Sequence, residues 1–330
     1  MSLLQTTGQT IPVVDLMEFR AGVAAQRDDF VMTVGNALAE VGFFAVVNHG
    51  VPPQLIQSAY QVAAEFFALP DANKLAYENP QWQGQRGFTH FGKEHAKGQL
   101  APDLKEFWHV GRELSTSEPA CVLPKDPDPA GLWFPNPWPQ EVPAFQLVMT
   151  ALYQQLETCA ESLLESIALY LGEPPHLLTD MVRLGATLLR IIHYPPLPAH
   201  GSPQGMRAAA HEDINLITLL CESTAPGLEL LQRDGSWLPI QPLPGQIIVD
   251  AGDMLQQLTN GLLKSTTHRV TNPDNDRERR FSMPFFVHPR PEVDLTPLPS
   301  CLTRTGGKPR FPSITAQQYL QQRLQEIGLA

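Results

Sequence analysis

A histidine and an aspartate two residues apart, His211-Glu212-Asp213, stand at the entrance of an apolar run, Ile214-Asn215-Leu216-Ile217-Thr218-Leu219-Leu220. A small-residue, Gly/Pro-rich segment (Ala199 to Ala210) precedes the run and Ser223 to Gly227 follows it, so it reads as a strand with turns at both ends. Side chains along a strand repeat every two residues, which puts His211 and Asp213 on one face. An imidazole and a carboxylate side by side at the mouth of a strand can take neighbouring corners of a metal's coordination sphere. On its own the pair is more economically a solvated strand start, because His-x-Asp recurs by chance.

The downstream sequence shifts that balance. A second histidine, His268, sits in the strand-like Lys264-Ser265-Thr266-Thr267-His268-Arg269-Val270. Beyond it, Arg280 to Val287 reads as a further strand in which Arg280 and Ser282 share a face. Two histidines and one carboxylate make the facial triad of non-haem Fe(II) oxygenases, which leaves three positions for a bidentate ligand and O2. An arginine beside a hydroxyl suits the far carboxylate of a small diacid, since guanidinium pairs with carboxylate through two parallel hydrogen bonds. Arg277 and Arg279 miss the Arg-x-Ser spacing, and Arg279 faces the other side of the strand.

In this order the motifs resemble the isopenicillin N synthase-like branch of the Fe(II)/2-oxoglutarate-dependent dioxygenases, and the similarity covers almost the whole chain. Ile11-Pro12-Val13-Val14-Asp15, Gly42-Phe43-Phe44, Asn48-His49-Gly50, and Phe66-Phe67-x-Leu69-Pro70 with Lys74 are similar to that branch's N-terminal region. Asp103-Leu104-Lys105-Glu106-Phe107 resembles its Asp-x-Lys-Glu-x-Phe motif with one residue fewer before the Phe. The resemblance implies that His211, Asp213 and His268 are iron ligands, and that Arg280 and Ser282 hold the 5-carboxylate of 2-oxoglutarate. It also implies that Tyr194 helps to bind a co-substrate or substrate carboxylate. The implied fold is mainly β with flanking α-helices, around a clavaminate synthase-like double-stranded β-helix (jelly roll). The implied activity is Fe(II)-, O2- and 2-oxoglutarate-dependent hydroxylation, desaturation or ring closure of a small molecule, with release of succinate and CO2. Two rivals stand beside it: an Fe(II) oxidase of the same family that does not use 2-oxoglutarate, and a non-catalytic jelly roll that binds a metal or small molecule. Two residues depart from the family pattern. Ile192 stands where plant members commonly have asparagine, and Asp250 stands where asparagine is usual, two residues before Gly252-Asp253.

The rest of the chain fits around this centre. Helical spacing predicts helices over Phe30–Val41, with Gly42 closing the first, over Pro52–Leu69, and over Val142–Leu171 and Ala316–Ile327. Leu188–Tyr194, Asp213–Cys221, Leu228–Leu231, Ile247–Asp250, His268–Thr271 and Phe281–His288 are the strand candidates. Tyr77 to Leu123 reads as loop, and its His90, His95 and His109 read as surface histidines; His49 reads as structural. Pro124 to Pro143 carries Trp133, Phe134 and Trp138 in a proline-dense connection. The expected division is an N-terminal region (1–125), a connecting loop and long helix (126–184), the jelly-roll core (185–290) and a C-terminal segment (291–330), forming one compact unit.

Composition excludes several partners. A net charge of −11 with no Lys/Arg-rich run argues against a nucleic-acid or anionic-membrane surface. Four scattered cysteines, Cys121, Cys159, Cys221 and Cys301, suggest neither a zinc knuckle nor a disulfide framework. With no signal-like N-terminus and no long apolar stretch, the expectation is a cytoplasmic monomer or weak homo-oligomer that acts on a small molecule.

Overall fold

The structure, a computed structural model, describes residues 11–99, 101–113, 134–197, 205–241, 243–272 and 279–329; Cys121, Trp133 and Arg277 lie outside the described residues. Strand β1 (Val13–Asp15) runs directly into α1 (Leu16–Ala21), because the Asp15 carboxylate accepts the Met17 amide at 2.9 Å and caps the helix. Helix α2 (Ala24–Glu40) is closed by Gly42, whose φ is +84° and whose N–H donates to the Ala37 carbonyl. A Cβ at Gly42 would stand 2.3 Å from Thr266 Oγ1, so only glycine fits between the helix end and that loop. Next come β2 (Phe43–Val47), α3 (Pro53–Phe67), α4 (Asp71–Leu75), β3 (Gly87–Thr89) and β4 (Glu106–Gly111). They lead to the long α5 (Phe145–Leu171) and to α6 (Leu177–Val182). The second half is strand-rich: β5 (Leu188–Tyr194), β6 (Ala208–His211), β7 (Ile217–Cys221), β8 (Leu228–Leu231), β9 (Trp237–Pro239) and β10 (Ile247–Ala251). After α7 (Asp253–Leu258) follow β11 (His268–Val270), β12 (Arg280–Ser282), β13 (Pro284–Val287), α8 (Pro299–Arg304) and α9 (Ala316–Glu326).

The strands form two sheets. The larger runs β1-β2-β10-β7-β13-β5-β4-β3, with β12 also on β5; the smaller runs β6-β11-β8-β9. Apart from the parallel β1–β2 pair, the strand pairs are antiparallel, as in a jelly roll. Period-two alternation turns His268 and Val270 of the smaller sheet inward and leaves Arg269 and Glu229 paired on its outer face, whereas the outer face of the larger sheet is apolar. On β13, Phe286 points inward, while Phe285 meets the Tyr153 ring of α5 edge-on at 4.9 Å. Leu152, Leu156, Leu163 and Ile167 of α5 are fully buried, each contributing about 1.5–3 kcal/mol of apolar burial. The predicted jelly roll with flanking helices is therefore the observed architecture, and no helix among the described residues is long and apolar enough to cross a membrane.

Several boundaries differ from the sequence reading for identifiable reasons. Helix α5 begins at Phe145 because Val142 precedes Pro143, a position that disfavours helical backbone. Leu147, placed in its apolar stripe, is 75% exposed, and Phe145 and Met149 fill the buried face instead. The predicted strand from Asp213 begins only at Ile217, and β6 arises inside the segment read as loop. The predicted Phe281–His288 strand is broken at Met283 into β12 and β13. Strands β3 and β4 occupy the expected loop; β4 is buried at all six positions, so its polar residues mimic a loop while sitting in the interior.

One of those interior polar groups carries measurable stability. Lys74, 5% exposed, donates to both oxygens of Glu106 at 2.8 and 3.1 Å, and His193 Nδ1 lies 2.7 Å from Glu106 Oε1. The Phe-Phe-x-Leu-Pro-Lys region and the Lys-Glu-Phe motif are thus tied to each other. Lys74→Met strands a buried carboxylate, so it should lower unfolding stability by about 3 kcal/mol. A urea titration with an unchanged midpoint would show that His193 alone satisfies Glu106.

Candidate active site

The two sheets leave between them a narrow cavity of about 60 Å³, and the proposed ligands line it. His211 ends β6 and His268 begins β11, and the two are direct cross-strand partners with ring centroids 4.4 Å apart. Asp213 is not on the same strand as His211, as the period-two argument required. It lies in the crossing between the small sheet and the large one, held where the Asp253 and Met254 amides of α7 bond the Asp213 and Ile214 carbonyls at 2.7 and 3.1 Å. The crossing nonetheless delivers Asp213 Oδ1 to within 3.7 Å of His268 Nε2 and 4.0 Å of His211 Nε2. Among the described residues this is the one group of three or more His, Cys, Asp or Glu side chains whose ligand atoms converge, all within 4.8 Å of one another.

The ring protonation is fixed by the backbone. His211 Nδ1 meets the Ala209 carbonyl at 2.7 Å and His268 Nδ1 meets the Thr266 carbonyl at 3.1 Å. A carbonyl can only accept, so each Nδ1 carries the hydrogen and each Nε2 turns a lone pair to the shared point. Burial, and then the neighbouring His268, push the His211 imidazole down to about 4, so the ring is neutral at neutral pH. Thr218 donates its hydroxyl to Asp213 Oδ2, leaving Oδ1 as the inward-facing oxygen. Two imidazoles with their Nε2 atoms turned inward and one oriented carboxylate on one side of a point fit a divalent iron with open positions opposite.

The anion pocket lies in the same cavity. Arg280 and Ser282 of β12 pair with Tyr194 and Ile192 of β5, and all four line the cavity wall. Arg280 is 1% exposed; its Nε donates to the Ala225 carbonyl at 3.0 Å, and its guanidinium carbon lies 5.0 Å from the centre of the Tyr194 ring. Its Nη1 is buried with no hydrogen-bond partner among the described residues, a position that calls for an anion. Ile192 gives the cavity an aliphatic wall where an asparagine would offer an amide. Asp250 is buried against Asp213, and burial followed by that negative charge raises its carboxyl well above the usual range. Both effects favour the protonated carboxyl, which is close in shape to the asparagine usual at this position.

Family comparisons agree with this geometry. A family model described as the non-haem dioxygenase in morphine synthesis N-terminal region matches residues 11–141, and that of the 2OG-Fe(II) oxygenase superfamily matches residues 186–289. A 2-oxoglutarate-Fe(II) type oxidoreductase from Aspergillus fumigatus is 31% identical over 95% of this chain and 92% of its own length. A solved 2OG-Fe(II) oxygenase family protein from Caulobacter crescentus is 38% identical, with a TM-score of 0.80 over 96% of this chain and 99% of that one. This chain belongs to the 2OG-Fe(II) oxygenase superfamily. Neurospora crassa T7H, solved in complex with alpha-KG, is 26% identical to the oxygenase, with a TM-score of 0.82 over 98% of both chains. The oxygenase is thus a non-haem iron oxidoreductase, and the relatives favour 2-oxoglutarate dependence over the oxidase and the non-catalytic readings.

A second, larger cavity of about 200 Å³ opens on the other side of His211 and Asp213 and shares Lys105, Arg190 and Phe286 with the first. Its polar wall was not foreseen. Lys105 pairs with Glu94 and Asp103, both at 2.7 Å, and Arg190 donates to Glu94 at 3.0 Å and to His109 Nε2 at 2.6 Å. Burial alone would raise the Glu94 carboxyl, but Arg190 and Lys105 outweigh it and hold it far below the usual range. His109, read as a surface residue, is 1% exposed, because it faces Arg190 across the β4–β5 ladder. His95 lines the same cavity, whereas His90 pairs with Glu78. His49 is buried, with Nδ1 accepting the Val51 amide, and stays apart from the triad. The alternation Lys105, Phe107, His109 was the available signal, obscured by the loop-like composition around it.

Thr218 supplies a test of the Asp213 geometry. Thr218→Val keeps the shape and removes the hydroxyl that fixes Asp213 Oδ2. Metal affinity should fall about 10–100-fold, as for other partners of ligating carboxylates. Calorimetric titration with Mn(II) reads the effect, and an unchanged affinity would show that Asp213 is oriented by its backbone alone.

Proposed function

We propose that His211 Nε2, Asp213 Oδ1 and His268 Nε2 hold Fe(II), and that Arg280 and Ser282 hold the remote carboxylate of 2-oxoglutarate beside Tyr194. The observation that carries this reading is the convergence of three ligand atoms next to a buried arginine with an unsatisfied Nη1. When bound, iron with O2 and the co-substrate supplies the oxidising power. Two electrons from 2-oxoglutarate and two from the substrate reduce O2, giving succinate, CO2 and the oxidised product. The protein's own part is placement: neutral imidazoles that ligate, a carboxylate fixed by Thr218, a guanidinium that neutralises the far end of the diacid, and walls that keep water out. The substrate is a small organic molecule that enters the larger cavity. Neurospora crassa T7H has also been solved with alpha-KG and 5-formyluracil, which supports a compact substrate here.

The proposed division into 1–125, 126–184, 185–290 and 291–330 describes parts of one compact unit. Glu94 and Lys105 from the first, the triad from the third and Leu324 of α9 from the last all meet at the two cavities. The experiment is succinate release from 2-oxoglutarate by the Fe(II)-loaded enzyme across a panel of small molecules. Succinate that rises with one compound class supports the reading, and an enzyme that neither binds nor consumes 2-oxoglutarate overturns it.

A further inference from the structure

The inward alternation that begins at Arg280 and Ser282 runs on through Phe286 to His288, just past β13. His288 is 6% exposed and stands on the wall of the larger cavity. Its backbone is pinned to Thr187, whose hydroxyl meets the His288 amide at 3.3 Å and its carbonyl at 3.5 Å. Its ring is not pinned: Nδ1 is buried without a partner, and Nε2 makes no hydrogen bond among the described residues. A buried imidazole nitrogen is rarely left this way, so Nδ1 points to a missing ligand. Burial pushes the ring down to about 4, so at neutral pH it offers one donor and one acceptor.

The same cavity is lined by a second unsatisfied buried group, Glu94. Glu94 is 7% exposed; its Oε1 takes both Lys105 and Arg190, while Oε2 is buried without a partner and can only accept. Of the cations that line the cavity, Lys105 pairs with Glu94 and Asp103, Arg190 with Glu94, and Lys97 and Arg323 with Glu326, while Arg323 Nε is buried without a partner among the described residues. A carboxylate placed beside Glu94 Oε2 would meet a like charge in a buried site, which disfavours it there. Leu188, Ile214, Leu320 and Ile327 complete the wall with apolar surface.

We propose that this cavity binds an uncharged lactam- or amide-type molecule, whose N–H pairs with Glu94 Oε2 and whose polar edge is read by His288. The assignment rests on the proposed function, since it takes this cavity as the substrate side of the iron site. It makes His288 a specificity-determining residue and disfavours carboxylic acids as primary substrates.

The test uses the full chain loaded with Mn(II) and 2-oxoglutarate and three matched probes: quinolin-2-one, its N-methyl derivative and its 4-carboxylate. Ligand-observed NMR titration should show saturable binding of the lactam, with the N-methyl and carboxylate probes at least tenfold weaker. His288→Leu should weaken the lactam about tenfold, and His288→Gln, which restores a donor and an acceptor, should recover most of that loss. An enzyme that takes up Mn(II) and 2-oxoglutarate but binds none of the probes overturns this assignment and leaves the proposed function standing. So does one that holds the N-methyl or carboxylate probe as tightly as the lactam. Failure to take up Mn(II) and 2-oxoglutarate at all overturns the proposed function itself.

Discussion

Arg280→Ala should raise the KM for 2-oxoglutarate by on the order of 10²–10³ while leaving Mn(II) affinity close to wild type. The magnitude follows from what the substitution strands. A carboxylate buried without its partner costs about 3–5 kcal/mol, and each 1.4 kcal/mol is tenfold. Arg280 is 1% exposed and its Nη1 is unsatisfied, so binding of the diacid satisfies two buried groups at once. The other Lys and Arg side chains that line this cavity are engaged: Arg190 by Glu94 and His109, and Lys105 by Glu94 and Asp103. Arg279 follows the other strand face, where its guanidinium lies 6.0 Å from the centre of the Phe281 ring. Arg280→Lys keeps the charge, loses the planar fork and the contact with the Tyr194 ring, and should raise KM by about tenfold. A titration of succinate release against 2-oxoglutarate for the three proteins decides the matter. Equal KM values would remove Arg280 from co-substrate binding and bring the oxidase reading back.

How much of this was legible depends on whether the signal was local. Arg280 and Ser282 were readable because they do lie on one short strand, where spacing two means one face. The inward series continues to His288, and the predicted strand to that residue held the information even though its backbone breaks at Met283. His211 and Asp213 were paired correctly by an argument that fails locally. His211 ends β6 and Asp213 lies within the crossing to the larger sheet, and what unites them is the convergence of that crossing with β11. The family resemblance carried the pair where periodicity could not. The buried charges Glu94, Lys105 and Arg190, with His109, were out of reach for a different reason. Each looks like a surface residue in sequence, and only the β4–β5 ladder and the return of α9 enclose them together. Polar residues are tolerated inside when they satisfy one another, a condition that no single stretch of sequence displays. Asp250 is the same lesson at one position: it reads as an unexplained charge until burial and Asp213 are seen to push its carboxyl upward.

His211→Ala and His268→Ala should each reduce Fe(II)-dependent succinate formation to background and lower Mn(II) affinity beyond calorimetric detection, while the fold persists. In the proposed site the triad supplies three ligands and leaves the other positions to co-substrate and O2, so losing one ligand would leave two and no geometry to orient them. Neighbouring groups cannot step in. Glu212 is exposed and accepts the Thr267 hydroxyl, so its carboxylate is turned away from the Nε2 atoms. His193 is engaged by Glu106, and His49 by the Val51 amide. Survival of the fold follows from where the rings sit: the His211 side chain is 31% exposed, and the Nδ1 hydrogen bonds of both rings reach carbonyls two residues away. Removing the His211 ring therefore costs one local hydrogen bond, about 1 kcal/mol, whereas removing the buried His268 ring also loses its edge-on contact with Phe43 at 5.5 Å. The test pairs Mn(II) titration with a thermal melt for each variant. An alanine variant that folds and keeps wild-type Fe(II)-dependent turnover would falsify the ligand assignment. A variant that melts far below wild type would show that the two histidines also hold β6 against β11.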